Sequence, residues 1–114
     1  MLKDNIFQKI ISKEVYAHFV HEDYQCVAFR DIHPQAPVHV LIVPRKRIVT
    51  HDHLTSEDKE LIGHIHLVAV KLASELGLED GYRLVINCRE IAGQTVPHLH
   101  FHLLGGRAMH WPPG

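Results

Sequence analysis

The segment His98-Leu99-His100-Phe101-His102-Leu103-Leu104 alternates histidine with apolar residues. Successive side chains of a β-strand point to opposite faces, so this alternation predicts a strand with three imidazoles on one face, ~7 Å apart. The apolar residues of the segment would lie on the other face. Imidazoles titrate near neutral pH, so three of them in a row indicate a site for phosphate, metal or proton transfer.

The composition limits the classes of protein to which this chain can belong. Its 114 residues suffice for one domain with a single core, and we expect that domain to span residues 1–114, including a tail at 105–114. A net charge of −1 indicates neither nucleic-acid binding nor an anionic membrane surface. No apolar run has the length of a membrane span and the first residues lack a secretory pattern, so a cytoplasmic location is expected. Cys26 and Cys88 lack CxxC spacing and are expected to be buried thiols and not a disulfide.

The pattern of apolar residues predicts an α+β domain with one mostly antiparallel sheet of about five strands, one long helix and one short helix. Strands are predicted at 15–21, 26–31, 38–43, 82–87 and 98–104. The first two form a hairpin. The third is apolar on both faces apart from one histidine, which is typical of a central strand covered on both sides.

Capping residues predict where both helices begin. The short helix, at 6–11, would be capped by Asp4 or Asn5. Thr55 and Asp58 resemble a capping box with Asp in place of the usual Glu, and they would open the long helix.

The long helix is predicted at 56–76, with Gly77 as its C-terminal cap. His64 and His66 lie two residues apart on this helix and cannot share a face. Both are therefore expected to be structural or exposed to solvent, and neither is expected to be a ligand.

Further polar residues accompany the histidine segment. The loop at 91–97 includes Gly93, which permits close approach of backbone N–H groups to an anion. His39 on the central strand and Asn87 at a strand end are polar where a purely structural sequence would be apolar. These residues fit a phosphoryl site at one edge of the sheet.

The chemistry of imidazole favours covalent catalysis at such a site. A neutral imidazole is a good nucleophile toward phosphorus, and an N-phosphoryl imidazole is readily hydrolysed. Neighbouring histidines can hold its tautomer and donate hydrogen bonds to the phosphate. His100, flanked on both sides, is the predicted nucleophile. Two alternatives stay open on the residues alone: a zinc site formed by a His-x-His pair with His39, and a histidine-rich strand with a purely structural role.

The segment 98–104 is similar to the His-φ-His-φ-His-φ-φ signature, where φ is apolar, of the histidine triad (HIT) superfamily. The similarity extends over nearly the whole chain to the Hint branch, the histidine triad nucleotide-binding proteins. The positions that carry it are 6–7, Asp31, 34–39, 81–83, Asn87, 93–94, 105–107 and 110–114. The resemblance implies a HIT-like homodimer that hydrolyses purine nucleoside 5′-monophosphoramidates without a metal or other cofactor.

The resemblance also implies catalytic roles. His100 would attack the α-phosphorus and carry the nucleotidyl group. His98 and His102 would contact the phosphate and its leaving group, with His39 behind His98 in a hydrogen-bonded chain.

The nucleotide-binding positions follow from the same resemblance. Asp31 would hold the ribose hydroxyls, and the apolar slot for the base would consist of Ile6, Phe7, Ile10, Phe29, Ile32 and Leu41. Positions near the phosphate would be Asn87, Gly93, Gln94 and Thr95. Trp111, in the tail, would pack near the active site of the partner in a two-fold dimer.

Two other functions stay open at this level. A purine nucleotide-binding regulatory protein would bind the same ligand, and its hydrolysis would be incidental. A zinc hydrolase would hold its metal tightly and lose activity to a chelator.

Overall fold

The computed structural model describes residues 5–114. Within them, five strands form one sheet in the order β1-β2-β3-β5-β4, and every neighbouring pair is antiparallel. The strands are β1 Phe19–Glu22, β2 Cys26–Arg30, β3 Val38–Pro44, β4 Tyr82–Val85 and β5 Phe101–Gly105. The predicted α+β class and antiparallel sheet are confirmed.

Two α-helices in the described part of the chain cover opposite faces of this sheet. The short helix α1 (Ile6–Ile11) packs Phe7 and Ile10 against the face that carries Phe29 and Leu41. The long helix α2 (Lys59–Glu75) packs on the other face, and the residues that it buries there are Ile65, Val68, Ala69, Leu72 and Ala73. Neither helix has the combination of length and apolarity that crossing a membrane requires.

The central position of β3 is as predicted. It pairs with β2 on one side and β5 on the other, and its residues from His39 onward are buried. A strand covered on both faces needs apolar side chains at consecutive positions, which the run after His39 supplies. His39 and Leu41 are two residues apart and therefore share the face that α1 covers.

The prediction of a strand beginning at residue 98 is wrong for its first three residues. The His98 amide donates to the Val96 carbonyl at 2.8 Å, and the Leu99 amide donates to the Ile48 carbonyl at 2.6 Å. Both amides therefore bond to carbonyls outside the sheet, and pairing with β3 begins only where Phe101 lies opposite Ile42. His98 and His100 therefore precede the strand.

The first strand is also shorter than predicted. Residues 15–18 are irregular, and β1 begins at Phe19. Its turn to β2 is held by Asp23, whose Oδ1 accepts the Gln25 and Cys26 amides at 2.7 and 2.9 Å. Such a side-chain turn fixes the hairpin at this point.

The predicted helix ends are largely confirmed. The capping box of Thr55 and Asp58 forms, but it opens a 3₁₀ turn, Ser56–Asp58, that precedes α2. Gly77 has φ +77°, and the next amide, of Leu78, donates to the Ala73 carbonyl at 2.8 Å, which closes the helix. Asn5 caps α1, since its side chain accepts the Gln8 amide. Asp4, the alternative cap, lies outside the described residues.

Candidate functional site

A cavity of about 320 Å³ lies between α1 and the sheet. Its apolar wall consists of Ile6, Phe7, Ile10, Val15, Ala17, Phe29, Ile32, Leu41 and Val96. The remaining lining residues are Tyr16, Arg30, Asp31, Thr95, His100 and His102. A mainly apolar pocket with a few converging polar groups is the usual form of a small-ligand site.

His100 presents one defined nitrogen to this cavity. It is 6% exposed, and its Nδ1 donates to the backbone carbonyl of His98 at 2.7 Å. A neutral imidazole carries one proton, so Nε2 is left unprotonated. Burial lowers the pKa of His100, and the His98 carbonyl opposes that shift only in part. The Phe7 ring packs edge-on against this imidazole, with 4.9 Å between ring centroids.

A chain of hydrogen bonds defines the tautomer of His102. The Gln35 amide donates to His39 Nδ1 at 3.0 Å, so the proton of neutral His39 is on Nε2. That Nε2–H donates to His102 Nδ1 at 2.9 Å, which leaves the proton of His102 on its own Nε2. His39 therefore lies behind His102, and the expectation that it lies behind His98 is wrong.

Burial keeps both histidines of this hydrogen-bonded series, His39 and His102, in their neutral form. Burial lowers the pKa of His102 to about 4, with smaller contributions from His100 and His39. Burial also lowers the pKa of His39, against the opposing influence of the Asp31 carboxylate. Near neutral pH the cavity therefore contains an unprotonated His100 Nε2 and a His102 Nε2–H donor.

Asp31 is fixed where β2 leaves the sheet. Its Oδ1 accepts the His33 amide at 2.8 Å, and its Oδ2 lies 3.5 Å from His39 Nε2. Asp31, His39 and His102 each offer an atom that could bind a metal ion, and these atoms lie within 4.8 Å of one another. This set differs from the zinc site considered from sequence, since it contains one triad histidine and no His-x-His pair.

His98 is fully buried and does not line the cavity. Its Nε2 donates to the Pro44 carbonyl at 2.8 Å. Its Nδ1 lies 3.0 Å from Nδ2 of Asn5, the N-cap of α1, and 3.3 Å from Nε2 of Gln8 within that helix. Because both ring nitrogens are occupied, this geometry does not support the expected contact of His98 with phosphate. His98 instead positions His100 through its carbonyl.

The residues expected near the phosphate occupy different environments. Thr95 lines the cavity, whereas Gln94 is 2% exposed and bonds to the backbone of its own loop and of Val49. Gly93, at φ +99°, closes a 3₁₀ turn, and a Cβ there would lie 3.9 Å from Asn87 Nδ2. Asn87 and Gly93 are thus neighbours, but neither lines the cavity.

Trp111 lies apart from the cavity of its own chain. It is 84% exposed and, with Asn87, borders a groove of about 490 Å³ alongside β4.

Some lining residues were not predicted from the sequence. Residues 15–17 and Arg30 line the cavity. The sequence pattern had indicated that residues 15–17 begin a strand. The donors to His98 were also missed, although their three-residue spacing on a helix places Asn5 and Gln8 side by side, a polar pair beside apolar residues.

Comparison with known proteins gives consistent results. The family model described as the HIT domain matches residues 12–109. An uncharacterised HIT-like protein of Synechocystis is 52% identical over 114 residues, which cover 100% of each chain. The structure of a HIT family hydrolase from Legionella pneumophila has a TM-score of 0.95 at 51% identity and covers 96% of this chain and 99% of that one. A histidine triad nucleotide-binding protein from Candida albicans has a TM-score of 0.82 at 31% identity, with 95% and 82% covered.

Proposed function

Because the chain belongs to the histidine triad (HIT) family, we propose that it is a purine nucleoside 5′-monophosphoramidate hydrolase that acts through a nucleotidyl-His100 intermediate. The observation that supports this most is the presence of His100 and His102 in the wall of one apolar cavity. Such a cavity suits a purine base, and its histidines suit an adjoining phosphate. Similar structures include a hydrolase and a nucleotide-binding protein, as their names state.

In the first step, His100 Nε2 attacks the α-phosphorus. Its Nδ1 is already bonded to the His98 carbonyl, which stabilises the positive charge that develops on the ring. The new bond joins phosphorus to Nε2 as the bond from phosphorus to the amine breaks, and the departing nitrogen takes up a proton from solvent. His102 Nε2–H donates a hydrogen bond to a phosphate oxygen, and Thr95 adds its hydroxyl from the loop before the histidine segment.

In the second step, water attacks the phosphorus of nucleotidyl-His100. The bond from phosphorus to Nε2 breaks and a proton of the water passes to solvent, so the nucleoside monophosphate is released and neutral His100 is restored. His39 acts as a positioning residue here, since its bond to Nδ1 keeps the proton of His102 on Nε2. Asp31 would hold the ribose hydroxyls, a task for which a carboxylate with two acceptor oxygens is suited.

The test is hydrolysis of a fluorogenic adenosine 5′-phosphoramidate in the presence of EDTA. Wild type is expected to hydrolyse the substrate at the same rate with and without EDTA, and His100→Ala is expected to lose about a thousandfold or more of kcat/KM, because it removes the proposed nucleophile. His53→Gln, at an exposed histidine of a 3₁₀ turn, is the matched control and should retain wild-type activity. Rapid quenching of wild type should trap the nucleotidylated protein.

Two results would contradict the proposal in different ways. Activity abolished by EDTA would favour a metal at Asp31, His39 and His102, whose donor atoms are close enough to share an ion. Nucleotide binding without turnover in wild type would favour a regulatory nucleotide-binding protein.

As part of this proposal, the protein is a cytoplasmic homodimer, and its hydrolase activity needs no cofactor. The dimer would bring Trp111 of each chain close to the cavity of the other.

A further inference from the structure

A second cluster of chemically capable side chains lies where the β1–β2 hairpin meets α2. It consists of His21 on β1, Asp23 in the turn, Cys26 at the start of β2 and His64 on α2. One donor atom of each residue lies within 4.8 Å of the others. Cys26 belongs to the core on the α2 side of the sheet, so the cluster lies on the face opposite the cavity.

The other three side chains converge on a single oxygen of Asp23. Asp23 Oδ2 lies 2.6 Å from His21 Nε2, 2.6 Å from His64 Nε2 and 3.6 Å from Cys26 Sγ. Its other oxygen is held by two backbone amides of the turn. Burial by itself raises the pKa of Asp23, but these hydrogen bonds together hold it well below its usual range. The carboxylate is therefore fixed in position and negatively charged.

We propose that His21, Asp23, Cys26 and His64 form a binding site for a zinc-like divalent cation. Two imidazoles, a thiolate and a carboxylate are the ligand types that zinc takes in proteins. The ligands of a tetrahedral zinc ion lie about 3.3–3.8 Å apart, which the present arrangement reaches with small rotations. The ion would take the place of the hydrogens that His21, His64 and Cys26 now direct at Asp23 Oδ2. Binding of the metal would therefore displace these protons from the site.

The proton changes on binding are specific. Each imidazole moves its proton from Nε2 to Nδ1, and the Cys26 thiol releases its proton to solvent. Without a metal, burial and the Asp23 charge raise the pKa of Cys26 to about 12, so the thiol is uncharged. With Asp23 and the thiolate both negative, a dication leaves the site neutral. An ion can enter from solvent because 31% of the His64 side chain is exposed.

One positive charge opposes the ion directly. Lys71 Nζ lies 3.4 Å from His21 Nδ1, the nitrogen that must carry a proton when Nε2 binds a metal. Lys71 is half-exposed and also pairs with Glu75 at 3.4 Å, so it can withdraw along the helix surface. Removal of the Lys71 charge should therefore strengthen metal binding, so a Lys71 variant is expected to bind the ion more tightly than wild type.

Titration of the full, reduced chain with Co²⁺ tests the site, because a cobalt–thiolate bond gives an ultraviolet charge-transfer band. Wild type should bind one equivalent with this band, and Zn²⁺ should displace the cobalt. Cys26→Ser and His64→Gln should lose the band and bind at least about tenfold more weakly. Cys88→Ser and His66→Gln are the matched controls, one for each ligand type, and should behave as wild type. Lys71→Met should bind more tightly.

Other outcomes would overturn the proposal. A band that survives Cys26→Ser or disappears in Cys88→Ser would place the metal elsewhere, as would a band lost in His102→Gln. Failure of wild type and Lys71→Met to bind cobalt would overturn the site altogether. Zn²⁺ should also raise the Tm of wild type but not of His64→Gln. None of these measurements depends on hydrolysis, so the proposed activity and this site can fail separately.

Discussion

Histidines in one short motif have different partners and therefore different roles. His98 has both ring nitrogens bound to the protein, His100 has one, and His102 receives a bond from another histidine. Their shared feature is burial, which lowers the pKa of each. Neutral imidazoles at this site are a property of the fold.

This burial predicts a loss of stability in mild acid. The ordinary pKa of these histidines is 6.5, and burial lowers it to about 4 for His102 in the folded chain. Below pH 6.5 these histidines bind protons in the unfolded chain but stay neutral in the folded chain. Their contribution to the free energy of unfolding is therefore full above pH 6.5 and is lost as the pH falls toward 4. Each such histidine reduces the free energy of unfolding by about 1.4 kcal/mol per pH unit at the limit.

Urea unfolding between pH 7.5 and 5 measures this effect. His102→Gln should have a shallower pH dependence than wild type, and His53→Gln, on an exposed turn, should match wild type. An unfolding free energy that stays constant over this range would contradict the assignment of buried neutral histidines.

Gln94 is expected to be important for stability although it was predicted as a nucleotide-binding residue. Its Nε2 donates to the Val49 and Val96 carbonyls at 2.7 and 3.0 Å, and its Oε1 accepts the Arg89 amide at 2.7 Å. Gln94→Leu leaves these groups unpaired and should destabilise the protein by about 2–4 kcal/mol. Gln35→Ala, which removes only an exposed side-chain bond, is the control in the same urea experiment. Equal stabilities of the two variants would argue against this role.

At the scale of elements, two glycines give opposite expectations. Gly63 lies within α2 with nothing within 4 Å of an added Cβ, so Gly63→Ala should stabilise the protein by about 0.5–1 kcal/mol. Gly106 has φ +92°, and a Cβ there would lie 2.9 Å from Pro37 Cβ, so Gly106→Ala should destabilise by about 1 kcal/mol or more. Chemical denaturation of both variants checks the pair, and a decrease for Gly63→Ala would contradict the helix packing described.

Structural elements that are determined by residues close together in the sequence were predictable. The buried run of β3 and the capping box of Thr55 and Asp58 depend on neighbouring residues, and both formed as predicted. The start of β5 was not predictable, because the Leu99 amide is taken by Ile48, which is distant along the chain. The partner of His39 depends on strand register: His39 lies opposite Leu104, which places His102 diagonally beside it. Alternation alone cannot provide that register.

At the scale of the whole molecule, the exposed tail provides a test of the proposed dimer. Trp111 is the sole tryptophan and is 84% exposed in the single chain, so its fluorescence reports on burial by a partner. We expect sedimentation to give twice the 13.1 kDa chain mass, and dilution to shift the emission to longer wavelength as the dimer dissociates. A concentration-independent mass of one chain, with unchanged emission, would contradict the dimer.

The strand order has a consequence for the nascent chain on the ribosome. β5 is made after the other four strands, yet it lies between β3 and β4. Until residues 101–105 emerge, β4 has no neighbour in the sheet and one edge of the apolar β3 is unpaired. An unpaired apolar edge favours association with other chains, so we expect this protein to be most prone to aggregation before β5 pairs with β3. His102 arrives on that same strand, so translation that stops early yields neither a closed sheet nor a complete histidine cluster.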